Sequence, residues 1–263
     1  MIDLNSSGAI RSSKSSYKVL GVKAFWIVAT VLTVALFVVL VKLGFWQLSR
    51  GEEKQHLEQQ LLTRDQMPAL SIEQVVSFAA QSNVTGYPLT VAVTAQSQPL
   101  IYLDNVTHDS KVGYRVLQPM SVSVEGESRL LLVELGFINA AVTRDTLPAV
   151  TAINSQEQQT FSGRVYQKSA NPLSHDVMAE QMATSIRIQN LNLQQLAVIL
   201  EKPLLGFVFQ PSVIPDSDLP MLWSPYPMTS QKHFGYALQW FSMAIVYAVL
   251  VILFVLRKRK VKE

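Results

Sequence analysis

Two predominantly apolar stretches, one toward each end of the chain, decide most of what it can fold into. They run from Ala24 to Val41 and from Phe234 to Leu256, 18 and 23 residues. A helix rising 1.5 Å per residue needs about 20 residues to cross a hydrocarbon core of roughly 30 Å, so both stretches qualify as spans. Basic residues precede the first stretch, which opens a signal-peptide reading. That stretch is longer than the roughly 7 to 15 residues of a signal core, and no small-x-small cleavage site follows, so it reads as an uncleaved anchor.

Charge then orients the spans. Arg11, Lys14, Lys18 and Lys23 stand against Asp3 before the first, and Arg257, Lys258, Arg259, Lys260 and Lys262 against Glu263 after the second. The stretch between holds the remaining 13 bases and 17 acids, a net of −4. By the positive-inside rule both tails are expected in the cytoplasm and the middle outside. The sequence pI near 9.0 is thus a topological signal and no nucleic-acid footprint, so no nucleic-acid partner is expected. Cysteine is absent, which excludes disulfides, thiolate zinc sites, covalent c-type haem attachment and thiol redox chemistry.

The expected divisions are a Ser- and Lys-rich disordered cytoplasmic tail (1–23), a first transmembrane helix (24–45), an extracytoplasmic domain (46–230), a second transmembrane helix (231–256) and a basic tail (257–263). After the first span, Trp46, Arg50, Lys54, Leu57 and Leu61 keep helical spacing, predicting a stalk. Ser71-Ile72-Glu73-Gln74 has capping-box form and predicts a helix from Ile72 to about Ala80. Strand patterns cover 87–95 and 99–107, read as one hairpin, and 114–124 and 129–138, flanking Glu125-Gly126-Glu127-Ser128 as a second. Further strands are expected over 161–167, 186–189 and 204–211, with a helix over 192–202. Pro211, Pro215, Pro220, Pro225 and Pro227 mark an extended return linker that holds off helix until about Ser230. The fold class is therefore a membrane α+β protein, with two transmembrane helices bracketing an extracytoplasmic antiparallel β-rich domain with short helices.

His56, His108, His175 and His233 are mutually remote, with no HExxH or HxxxH pattern, so a protein-only zinc site is not expected. Phosphate loops and nucleophile elbows are missing as well, and no enzyme activity is expected. His233 differs by its place at the mouth of the second span. Should the spans pack, Trp46, Gln47 and Arg50 face His233, Tyr236, Gln239 and Trp240, with 233, 236, 237, 240 and 244 on one stripe. Two readings stay open. The site is either a slot for a flat apolar macrocycle, with His233 as iron ligand and Arg50 or Lys54 near the propionates, or an ordinary interfacial aromatic belt. In the middle domain, Asp104 and Asn105 suggest turn hydrogen bonds and Gly113 a positive φ.

The segment His233-Phe234-Gly235-Tyr236-Ala237-Leu238-Gln239-Trp240-Phe241 resembles the HxGYAxQWF signature of the Surfeit locus protein 1 (Shy1-like) family. Leu43-Gly44-Phe45-Trp46-Gln47-Leu48 with Arg50 and Lys54 is similar to that family's LGxWQLxRxxxK, and Leu103-Asp104-Asn105 through Gly113-Tyr114 to Pro119 to its third motif. Two positions depart from the pattern. Val106 stands where the family has Arg after Asp-Asn, and Val133-Glu134-Leu135-Gly136-Phe137 stands where it reads VNRGW. The chain thus looks like a diverged bacterial-type member.

The resemblance implies assembly of haem-copper cytochrome c oxidase. Haem a would be held transiently by His233, Tyr236, Trp240, Trp46 and Arg50, with His233 as a possible iron ligand. The implied partners are the oxidase catalytic subunit, the haem a synthesis machinery and the lipid bilayer, in a bacterial inner membrane with a periplasmic middle domain. A non-haem scaffold that stabilises an assembly intermediate is the alternative. Copper delivery is disfavoured, because Met221 and Met228 form no dense thioether cluster.

Overall fold

The computed structural model describes residues 7–260, except 142, 144, 155–156, 169–174, 224 and 227, and side chains from residue 24 onward. It divides into two compact units: Met1–Glu58 with Met228–Glu263, and Gln59–Pro227.

The first unit is a pair of long helices, α1 (Ser7–Asp65, whose last turns belong to the second unit) and α4 (Ser230–Lys260). Both are long and apolar enough to cross a membrane. Helix α4 begins at Ser230, where the prolines stop. Helix α1 begins at Ser7, so the segment expected to be a disordered tail is helical from there; residues 1–6 lie outside the described residues. Adding residues to an existing helix avoids the cost of nucleation, which lets a Ser- and Lys-rich stretch extend the span.

The second unit is a β-barrel with short helices. Its elements are α2 (Ile72–Ala79), β1 (Pro88–Ala95), β2 (Leu100–His108), β3 (Lys111–Val124), β4 (Glu127–Asn139), β5 (Gln159–Tyr166), β6 (Glu180–Met182), β7 (Ser185–Ile188), α3 (Leu193–Ile199) and β8 (Leu204–Pro211). The sheet order is β1-β5-β8-β4-β3-β2-β7-β6, and a further pairing of β1 with β3 closes the first five strands on themselves. The pairs are antiparallel except β2 with β7 and β4 with β8.

Strand β4 is buried on both faces from Leu130 to Phe137. Its alternation sends Leu131 and Val133 to one core, with Val91, Met120, Phe161 and Phe207, and Leu130 and Leu132 to a second, with Ile101, Ile186, Leu196 and Val208. The box at Ser71 forms as expected: the Gln74 amide donates to Ser71 Oγ, and the Ser71 amide donates to Gln74 Oε1. Ile72 and Val75 of α2 are thereby set into the first core.

The strand pairing corrects part of the sequence reading. Strands β1 and β2 do not form a hairpin; β1 pairs with β5 and β3 instead. The tight hairpins are β2–β3, through Asp109 and Ser110 (φ 48° and 61°), and β3–β4, through Glu125 and Gly126 (φ 51° and 84°). Positive φ at both central residues is the turn that matches strand twist. Gly113 lies in extended backbone, outside the positive-φ set. It lacks a side chain for another reason: a Cβ there would lie 2.1 Å from the Ile138 carbonyl oxygen and 2.7 Å from the Phe137 ring.

Candidate functional site on the helix pair

The two long helices meet along a seam with a seven-residue repeat. On α1 it runs through Gly44, Gly51 and Glu58; on α4 it runs through Ser230, Ala237 and Ala244, all three buried. The rings of Phe241 and Phe234 occupy the notches at Gly44 and Gly51, where an added Cβ would lie 2.6 Å and 2.4 Å from ring carbons. Phe45 also meets Phe241 edge to face, at 5.2 Å between centroids. A repeat of seven keeps one stripe of each helix against its neighbour over many turns. At its end the Glu58 carboxylate accepts from the Ser230 amide (2.8 Å) and hydroxyl (2.6 Å), placing negative charge at the N-terminus of α4. Toward the other end of α4, the Lys258 ammonium sits 3.2 Å from the centre of the Trp26 ring.

His233 lies beside this seam, half-buried. Its Nδ1 is 2.8 Å from Oε1 of Gln47. A carbonyl oxygen only accepts, so a neutral ring in this contact puts its proton on Nδ1 and its lone pair on Nε2. Among the described residues no hydrogen-bond partner meets Nε2, and no three His, Asp or Glu side chains gather as a metal-binding group.

The other expected site residues are arranged more loosely. Trp240 is half-buried, whereas Trp46 is 53 % and Tyr236 45 % exposed. Arg50 is paired with Glu53 one turn along α1, at 2.6 Å, on the exposed surface. The Arg50 guanidinium holds the Glu53 carboxyl below the usual carboxylate range, with smaller contributions from Lys54 and His233. The buried line on α4 is 230, 237 and 244; it shares Ala237 and Ala244 with the stripe of 233, 236, 237, 240 and 244 drawn from the sequence, while 233, 236 and 240 lie to its sides. Contact is set by small residues, which allow close approach, and His233 and Trp240 flank it. The Glu58–Ser230 contact and the two glycine–phenylalanine contacts are absent from the sequence reading. Their signal was the seven-residue spacing of 44, 51 and 58 and of 230, 237 and 244.

The barrel motifs have a different character. Asp104 and Asn105 sit at a bulge in β2, with Asn105 at φ 59°. The Asn105 amide donates to Asp104 Oδ1, and its side chain donates to Gln189 Oε1 at 2.6 Å. Val106 continues β2 opposite Gly113. Leu135 is the unpaired residue of a bulge in β4 and is buried with Tyr102, Tyr114, Val116 and Ile214. It also lines an open cleft of about 410 Å³ with Phe161, Ile214 and Leu219.

Glu134 is buried, with Oε1 3.2 Å from Arg115 Nε. The approach is close but off-line, so neither atom gains a directed hydrogen bond. Burial pushes the Glu134 carboxyl up, while Arg115, Gln210 and Arg164 pull it down by less. Around this pair the return linker is seated. Arg115 Nη2 and Gln210 Nε2 each donate to the Leu222 carbonyl at 3.0 Å, Arg164 stacks on Trp223 at 4.0 Å, and the Phe137 amide donates to Pro220.

Two helices fit for spanning, with a β-barrel inserted between them in sequence, define the class: a membrane-type α+β protein whose motif histidine lies on its helix pair. The SURF1 family model matches residues 34–245, most of the chain, and the protein belongs to that family, whose members are generally cytochrome oxidase assembly factors. Among curated proteins, a SURF1-like protein of Rickettsia conorii (strain ATCC VR-613 / Malish 7) is 23 % identical over 85 % of this chain and 88 % of its own. A SURF1-like protein of Rickettsia felis (strain ATCC VR-1525 / URRWXCal2) is 23 % identical over 86 % and 94 %.

Proposed function

We propose that the protein is a membrane-anchored assembly factor of haem-copper cytochrome c oxidase that holds haem a transiently on its helix pair. The reading gives it no catalysed reaction. One observation carries the proposal: the two motif-bearing helices are joined at His233 and Gln47 by a hydrogen bond that leaves an imidazole nitrogen available for an axial bond. The donor set fits haem in that one respect, an imidazole with its distal nitrogen open.

In this reading His233 meets the iron, Trp240, Tyr236 and Trp46 supply apolar walls, and Arg50 lies within the exposed charged turn where propionates would be met. Haem supplies an iron centre that accepts axial ligands. A single imidazole, with no second protein ligand beside it among the described residues, would hold it weakly enough for release. In this reading both termini lie in the cytoplasm of a bacterial inner membrane and the barrel lies in the periplasm, meeting the oxidase catalytic subunit; the basic residues at both ends support that orientation.

A scaffold without haem is the second reading, favoured by the exposure of Trp46 and Tyr236, which suits protein docking as well as a ligand wall. The visible spectrum of protein purified from cells that make haem a separates the two. A haem band in the wild type, lost in His233→Ala, is expected. A haem-free wild type in cells whose oxidase still depends on the protein would leave the scaffold.

A further inference from the structure

Gln47 lies three positions after Gly44 and four before Gly51 on α1, and its side chain is spent on a ring nitrogen. A free neutral histidine favours the proton on Nε2, the nitrogen remote from its backbone. Here the proton is drawn to Nδ1 by the Gln47 carbonyl oxygen at 2.8 Å, across 186 residues of sequence. Resting on the haem reading above, we infer that Gln47 is a positioning residue: it selects the Nδ1–H form of His233 and fixes the ring plane, so that Nε2 presents its lone pair.

The surroundings support that assignment. Gly44 and Gly51 flank Gln47 on α1 and are both filled by phenyl rings from α4, Phe241 and Phe234. Phe234 is the neighbour of His233 in sequence. The register of the two helices at this point is therefore fixed by packing on either side, and the hydrogen bond inherits that register. Metal-bound histidines generally donate their second N–H to an oxygen, and loss of that oxygen costs about 10- to 100-fold in metal affinity. Glutamine provides the oxygen without charge. A carboxylate in its place would make the imidazole a stronger donor, which suits permanent holding better than transfer.

The full chain in detergent, with its histidines ¹⁵N-labelled and His233 assigned by loss of signal in His233→Gln, tests the inference directly. It is recorded at a pH where the imidazole is neutral. The wild type is expected to show a protonated Nδ1 and a lone-pair Nε2. Gln47→Ala is expected to revert to the Nε2–H form, and Gln47→Glu, which keeps the acceptor, to retain Nδ1–H. A wild type already in the Nε2–H form, or an unchanged Gln47→Ala, would overturn it.

A titration of the same proteins with haemin supplies the second readout. Gln47→Ala should bind about 10-fold or more weakly than wild type, with Gln47→Glu restoring or exceeding wild-type affinity. Equal binding by wild type and Gln47→Ala would reject the positioning role even with the tautomer shifted. Binding by none of the three would instead reject the haem reading, while the nitrogen shifts still decide what Gln47 does to the ring.

Discussion

The helix pair and the barrel both depend on glycines against which another residue is pressed, yet they use them differently. On α1, Gly44 and Gly51 have ordinary helical backbone and receive the rings of Phe241 and Phe234. In β4, Gly136 has φ +124°, and an added Cβ there would lie 2.6 Å from the Leu219 Cβ and 3.0 Å from its carbonyl oxygen. The first kind of contact is side chain into space, and a ring can turn or slide to relieve it. The second combines a conformation that L residues avoid with a backbone neighbour that has nowhere to go. The helix seam therefore tolerates an added methyl group better than the seat of the return linker does.

That contrast is best broken at Gly136. Gly136→Val is expected to destabilise the barrel by about 3 kcal/mol or more, from backbone strain and overpacking together. Thermal melting followed by the β-sheet circular-dichroism signal is the measurement, and a loss below that of a seam substitution would sink the distinction.

Gly51→Val should cost the helix pair about 1–3 kcal/mol. Spin labels at the exposed positions Glu52 and Lys232 should report a broadened distance distribution while the barrel melt stays unchanged. A barrel melt that fell with it would show that the seam is not an independent feature.

The smallest effect concerns charge. Burial raises the Glu134 carboxyl above its ordinary value. Between that value and the raised one, the native chain binds more protons than the unfolded chain, so stability falls as pH rises through the window. Glu134→Gln should flatten that slope relative to wild type. A slope of opposite sign in the wild type would mean that the Arg115 charge outweighs burial.

Much of this was legible in the sequence, for reasons that can be located. The spans, the box at Ser71, the start of α4 at Ser230 and the strand over 204–211 rest on local chemistry: apolar length, a capping hydroxyl, proline and β-branching. The false β1–β2 hairpin came from proximity in sequence. Nothing local to Gln96-Ser97-Gln98 reveals that β1 closes a barrel with β5 and β3. Gly113 was misread because glycine answers both to backbone angle and to crowding, and only the Ile138 carbonyl shows which applies. Glu134 went unread as a charge partner because Arg115 lies on the neighbouring strand, opposite Phe137. In the site, the position of His233 near the start of α4, across from Gln47, was readable from its motif and the matched depth of the two apolar stretches. The role of Gln47 was not, since a hydrogen bond between helices leaves no trace in either helix alone.

The bond between Glu58 and Ser230 spans 172 residues of sequence. Synthesis proceeds at roughly 5–20 residues per second, so Glu58 leaves the ribosome about 10–30 s before Ser230 exists. For that interval the first helix has its two glycine notches empty and its carboxylate uncapped, while every strand of the barrel is made. Biogenesis thus runs in a set order: first long helix, then barrel, then partner helix. The surface that carries His233 and Gln47 comes into being only after every strand of the barrel has been made.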